Sequence, residues 1–166
     1  MSSALLNYTG GVFEFINSGG VSEEAIRISS LFEHSREQLR SQISLGSARE
    51  ECRDQLLDAW SRAANDNWDG YGGRAAQRDA VTNAYKLIDA FPSNLQMPEV
   101  SVDPDGEISF DWFGGRRRQF SLSIGTDSVL SYAGLFGTAK VSGSERFEGG
   151  MPPVLLEYIK RAIQRA

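Results

Sequence analysis

Two consecutive stretches decide the fold: Val100-Ser101-Val102-Asp103-Pro104-Asp105-Gly106-Glu107-Ile108-Ser109-Phe110-Asp111-Trp112 and Phe113-Gly114-Gly115-Arg116-Arg117-Arg118-Gln119-Phe120-Ser121-Leu122-Ser123-Ile124. Apolar and polar residues alternate through them, the pattern of antiparallel strands with one buried and one wet face. Val100, Val102, Ile108, Phe110, Trp112, Phe120, Leu122 and Ile124 fall on the buried side, while Ser101, Asp103, Glu107, Ser109, Asp111, Ser121 and Ser123 fall on the wet side. Pairing Val102 with Ile108 leaves Pro104-Asp105-Gly106 as a three-residue loop, with Gly106 free to take the left-handed conformation. Pairing Trp112 with Arg118 leaves Gly114-Gly115-Arg116 and keeps the apolar residues together. A two-residue Gly114-Gly115 turn would instead send Phe120 and Leu122 to the opposite face. A further strand is expected over Val129–Leu135, and 137–150 reads as a loop with a short edge strand near Thr138–Val141.

Upstream the period is helical. Ser22 is an N-cap for a helix carrying Ile28, Phe32, Ser35, Leu39 and Ile43, which Gly46 is expected to end. Ser47 then caps a second helix that buries Cys52, Leu56, Ala59, Trp60 and Ala63. A third helix spans 75–91 and stops at Pro92. Met151-Pro152-Pro153 introduces a last one reaching Ala166, with Leu155, Ile159, Ala162 and Ile163 inward. Val12–Ile16, between glycine pairs, suits a short strand or a helical turn. The fold class is therefore α+β: an antiparallel meander of about four strands covered on one face by helices, with an N-terminal helical hairpin over 21–65. Residues 1–66 form the helical region and 67–166 the α+β core, unless the two are one continuous domain.

Composition narrows the chemistry. The 166 residues carry 17 Lys plus Arg against 22 Asp plus Glu, a formal charge of -5. That balance argues against a general phosphate-neutralising surface, so no direct nucleic-acid binding is expected. One cysteine excludes an internal disulfide, and His34 with Cys52 cannot build a usual zinc site. The first residues lack the basic start and apolar run of a signal peptide, and no run of roughly 18 apolar residues suits a membrane span. The expected compartment is the cytoplasm. No catalytic nucleophile, metal set or phosphate loop is recognisable, so no cofactor is expected.

Three groups remain as candidate binding residues. The loop Asn67-Trp68-Asp69-Gly70-Tyr71-Gly72-Gly73 can hold a ligand or present an aromatic knob through Trp68, Asp69 and Tyr71. Equally, each of its residue types has a turn explanation. Glu107 and Asp111 share the wet face with Ser109 between them, a placement open to acid–base work or to simple surface polarity. Arg116 and Arg117, with Arg118, form the one basic cluster, suited either to an acidic partner or to guarding a hairpin end.

Trp60, Asn67-Trp68-Asp69-Gly70-Tyr71-Gly72, Pro104-Asp105-Gly106-Glu107 and Trp112 together resemble a family of small uncharacterised bacterial proteins. Its members carry an Asn-Trp-Asp-Gly-x-Gly loop and a Pro-Asp-Gly-Glu hairpin leading to a Trp. The likeness spans residues 55–135, with Gly73 where the pattern has Ala. It implies an accessory or mobile bacterial gene and brings no catalytic residue.

The expected function is a non-enzymatic, acidic protein-binding module. An inhibitor or antitoxin-like protein of a bacterial conflict system, such as an anti-CRISPR or anti-restriction protein, fits this reading, with net acidity suited to a basic groove on its target. The alternative is a small-ligand binder or enzyme using Trp68-Asp69-Gly70-Tyr71 against the Glu107/Asp111 face. A protein partner is expected, with a homodimer through 21–65 as the least demanding second chain.

Overall fold

The computed structural model describes residues 23–164. The Val12–Ile16 reading, the Ser22 cap and the final residues of the last helix lie outside them. The chain divides into two compact units, residues 1–38 and 39–166. The described part of the first is helical, with Arg27, Glu33, Arg36 and Glu37 exposed. Side chains of the proposed dimer stripe at Ile28, Phe32, Leu39 and Ile43 lie outside the description.

The larger unit is built on a meander of five strands in the order β1-β2-β3-β4-β5, each antiparallel to its sequence neighbour. These are β1 (Glu99–Val102), β2 (Ile108–Gly115), β3 (Arg118–Ile124), β4 (Val129–Phe136) and β5 (Ala139–Arg146). The helices are α1 (Glu23–Arg62), α2 (Arg78–Ala90) and α3 (Pro153–Ile163). Among the described residues, no helix is long and apolar enough to cross a membrane.

Gly46 does not end a helix. The helical backbone passes through it, so the hairpin expected over 21–65 is replaced there by uninterrupted α1. A lone glycine in a helix interior costs only about 1 kcal/mol relative to alanine, too little to force a break. Beyond it, Cys52, Leu56, Ala59 and Ala63 are buried in the core of the larger unit. Polar contacts fix α1 against α2 and the β1 edge. Arg49 donates to the carbonyl of Phe91 (2.8 Å), Arg53 pairs with Asp89, and the Val100 N–H donates to Gln55 Oε1 (3.3 Å). In α2, Ala80, Val81, Ala84, Leu87 and Ile88 form the buried stripe.

Helices α2 and α3 pack on one face of the sheet. Ile108, Phe110, Trp112, Phe120, Leu122, Ile124 and Leu130 are almost wholly buried beneath them. Aromatic rings continue the contact. Phe91 meets Phe110 and Trp112 edge-on at 5.7 Å, and Tyr158 of α3 lies 5.9 Å from Phe120.

The first hairpin has the expected register. Val102 faces Ile108, Asp103 N–H donates to Glu107 O (2.9 Å), and Gly106 takes φ 89°. In the second hairpin the faces are as expected, but the pairing moves by two residues. Trp112 faces Phe120, and the turn is Arg116-Arg117 rather than Gly114-Gly115-Arg116. The observed register pairs Ile108 with Ile124 and Phe110 with Leu122, lengthening the apolar ladder at both strand ends. The extra residue is absorbed as an irregularity between Phe113 and Gly115.

Gly114 is required at that irregularity for a second reason: a Cβ there would lie 1.6 Å from the carbonyl oxygen of Ala162 in α3. The expected short edge strand is in fact the full strand β5. Its part beyond Val141 reads as loop because the residues are almost all exposed and so lack an apolar alternation.

Three substitutions test this architecture by urea unfolding. Trp112→Ala removes the ring and leaves a cavity, and should cost about 3–5 kcal/mol. An unchanged midpoint would refute the register. Gly114→Ala should destabilise by displacing α3, whereas Gly150→Ala, with nothing within 4 Å of its Cβ, should change little. Gly46→Ala, likewise with open space around its Cβ, should stabilise by about 0.5–1 kcal/mol if the helix is continuous. It should destabilise if Gly46 terminates a helix.

Candidate functional site

The face of the sheet opposite the helices carries the polar alternates, arranged in rows by the register. One row crosses all five strands as Ser101, Ser109, Ser123, Ser131 and Ser144. The next holds Glu99, Asp111, Ser121, Ala133 and Ser142. A third, beside the Arg116-Arg117 turn, holds Phe113, Gln119, Leu135 and Lys140.

Three carboxylates of this face are held by serine hydroxyls. Ser109 donates to Asp103, Ser121 to Asp111, and Ser123 to Glu107 at 2.6 Å. Each bond spans two strands or a strand and its turn, so these acids tie the sheet together. Glu107 and Asp111 are four residues apart along one strand direction, about 13 Å at roughly 3.3 Å per residue. That exceeds the ~10 Å reached by the widest paired-carboxylate chemistry. Burial pushes the Asp103 carboxyl above its ordinary range, against the opposing effect of the Ser109 hydroxyl. Glu107 also lines a polar cleft of about 230 Å³ with Arg74, Asp105, Thr126 and Asp127. Asp111, Trp68, Asp69 and Tyr71 do not line it.

The Trp68 loop is organised from within. Asp69 Oδ1 accepts the N–H groups of Tyr71 (2.8 Å) and Gly73 (2.9 Å), and these bonds hold its carboxyl below the usual range. Asn67 N–H donates to Gly73 O (2.6 Å), while Asn67 Oδ1 accepts from Gly72 N–H. Gly70 and Gly72 supply the positive φ values the loop needs, 78° and 93°. Trp68 is half-buried, its indole N–H on Arg74 O at 3.0 Å. Arg74 N–H in turn donates to Pro104 O (2.8 Å), joining the loop exit to the β1–β2 turn. Tyr71 stands out in solvent, 95% exposed. Neither the cleft at Glu107 nor the groove at Lys140 brings the loop residues Trp68, Asp69 and Tyr71 together with Asp111.

Arg116 and Arg117 are exposed, with Arg117 in the left-handed region at φ 61°. Arg117 O accepts from Gly137 N–H (2.8 Å), which sets the β2–β3 and β4–β5 turns side by side. A second groove of about 320 Å³ lies on the open face, lined by Gln119, Ala133, Leu135, Lys140 and Val141 among others. Lys140 falls within the edge strand expected near Thr138–Val141, but nothing local to it shows that pairing sets it beside Leu135. Phe113, 51% exposed, was marked only by its parity, opposite that of Phe110 and Trp112.

Cys52 is buried, and burial pushes its thiol up to about 11, which leaves it mostly protonated at neutral pH. Among the described residues no cluster of three or more His, Cys, Asp or Glu is placed to hold a metal. No family model, curated protein or solved structure matches the chain.

The two perturbed aspartates predict opposite pH effects on stability. Asp69, depressed in the folded state, contributes stability that is present above its unfolded value near pH 4 and lost as the pH falls further. Asp103, raised in the folded state, contributes most at low pH, and that contribution is lost as the pH rises from about 4 through its folded value. In unfolding series across pH, Asp69→Asn should flatten the acid limb. Asp103→Asn should leave the protein at least as stable as wild type at neutral pH. Parallel curves for all three proteins would contradict both assignments.

Proposed function

We propose that this chain is a non-enzymatic protein-binding module that engages its partner through the open face of the sheet. One observation carries this reading: a side of the sheet that no helix covers among the described residues ends in a row where Phe113 and Leu135 sit beside Arg116 and Arg117. Exposed aromatic and arginine side chains in one place are the composition enriched at protein interfaces. The hydroxyl-bound carboxylates support the same reading, since one oxygen of each accepts a serine hydroxyl that links it to a neighbouring strand or turn. The likeness of the Trp-Asp-Gly loop and Pro-Asp-Gly-Glu hairpin to small bacterial proteins supports an inhibitor or antitoxin-like role in a bacterial conflict system.

Affinity capture from a bacterial host, with low- and high-salt washes, tests the proposal. The wild-type chain should enrich a protein partner, and Phe113→Asp should lose it while keeping the wild-type urea midpoint. Retention by Phe113→Asp together with loss by Tyr71→Ser would move the interface to the loop and overturn the sheet-face assignment. Enrichment of no protein by the wild-type chain would overturn the module itself.

A further inference from the structure

The net charge of -5 hides a polar distribution. The β1–β2 and β3–β4 turns, at one end of the meander, carry Asp103, Asp105, Glu107 and Asp127. The opposite end, where the β2–β3 and β4–β5 turns lie side by side, carries Arg116, Arg117, Arg118 and Lys140. The last turn of α3 adds Lys160 and Arg161, and it reaches this end: Arg118 donates to Gln164 O at 2.6 Å, and Ala162 lies against Gly114.

These cations are not equivalent. Arg118 is used on the carbonyl end of α3, and Arg161 lies over the Phe136 ring at 4.6 Å. Arg116, Arg117, Lys140 and Lys160 are exposed, and among the described residues no salt bridge engages them. The nearest carboxylates on the open face, Glu99 and Asp111, are one row further in and toward β1, with Asp111 accepting the Ser121 hydroxyl on one oxygen. On the open face, beside Lys140 and the Arg116-Arg117 turn, lie Phe113, Leu135 and the groove of about 320 Å³.

We infer that this end of the sheet docks an acidic segment of a partner protein, with carboxylates on Arg116, Arg117 and Lys140 and an apolar side chain in the groove at Leu135. The inference rests on the protein-binding reading and names the chemistry of the partner. Cations that pair with no carboxylate among the described residues both attract such a segment and orient its approach. The apolar groove separates it from a nucleic-acid backbone. A phosphate chain needs a run of cations and stacking aromatics, whereas this patch is short and holds a single exposed Phe113.

The test is fluorescence anisotropy of the full chain with three labelled probes. These are a synthetic peptide alternating Asp and Glu with Leu, the same peptide with Ser for Leu, and an oligothymidylate. The Leu peptide should bind saturably and more tightly than the Ser peptide. Its affinity should fall at least about tenfold in Arg116→Glu/Lys140→Glu and at high salt, while Asp105→Lys at the opposite end leaves it intact. Arg117 is left unchanged because its left-handed backbone, φ 61°, couples its substitution to the turn. Unfolding midpoints confirm that each variant is folded, and Lys140→Glu alone replaces the double variant if Arg116→Glu is not. No saturable binding, equal binding by the charge-reversed variant, or tighter binding of the oligothymidylate would overturn the inference. The two failures separate in affinity capture. A charge-reversed variant that still recovers the wild-type partner sinks the docking end alone, and a wild-type chain that recovers no protein sinks the module.

Discussion

The indole of Trp112 is the point on which the larger unit depends. Its ring lies between Phe91, at the end of α2, and Phe120 on the neighbouring strand, with centroid distances of 5.7 and 6.1 Å. Its N–H donates to Gln96 O at 2.8 Å, fixing the segment that leads from α2 into β1. A single side chain thus sets the helix end, the entry to the sheet and the register of the central hairpin. Such a buried indole is tolerated only because its one donor is satisfied. The left-handed Arg117 and the irregularity at Gly114 follow from it, since the chain must return with Phe120 opposite Trp112.

Much of this was legible in the sequence, for a physical reason. Where a strand buries one face, slipping by a single residue exposes its whole apolar set, so Ile108, Phe110 and Trp112 fixed the inward side unambiguously. The same argument is blind to slips of two, which preserve faces. That is why the central hairpin was misjudged by two residues and the first, with its tight Pro104-Asp105-Gly106 loop, was not. Strand β5 runs beyond the short edge strand expected near Thr138–Val141, because an edge strand exposed on nearly every residue carries little alternation to mark its end. Gly46 misled in the other direction, since a strong local helix breaker is weak against flanking helix on both sides.

The candidate residues divide along the same lines. Asp69 and Asn67 could be read as turn formers from residue type alone, and their hydrogen bonds are those of a turn. Glu107 and Asp111 could be placed on the wet face, but the serines that occupy them come from β3, a partnership set by register and so beyond reach of local pattern. The basic end is assembled from three separate parts of the chain. Only the arginine triplet announces itself, because Lys140 and Lys160 join it through topology.

A meander in which every strand pairs only with its sequence neighbour has a temporal consequence. Each new strand closes a loop of only a few residues, the least costly closure in entropy, so the sheet can extend hairpin by hairpin as the chain emerges. The covering of its apolar side cannot keep pace. Helix α2 precedes the sheet, but α3, which packs on β2, β3 and β4, follows the last strand. Phe120 and Tyr132 therefore wait for Tyr158. Until α3 is made the part of the apolar face that α2 leaves open meets water, and the greatest exposure to misassociation falls in the interval between the synthesis of β4 and that of α3.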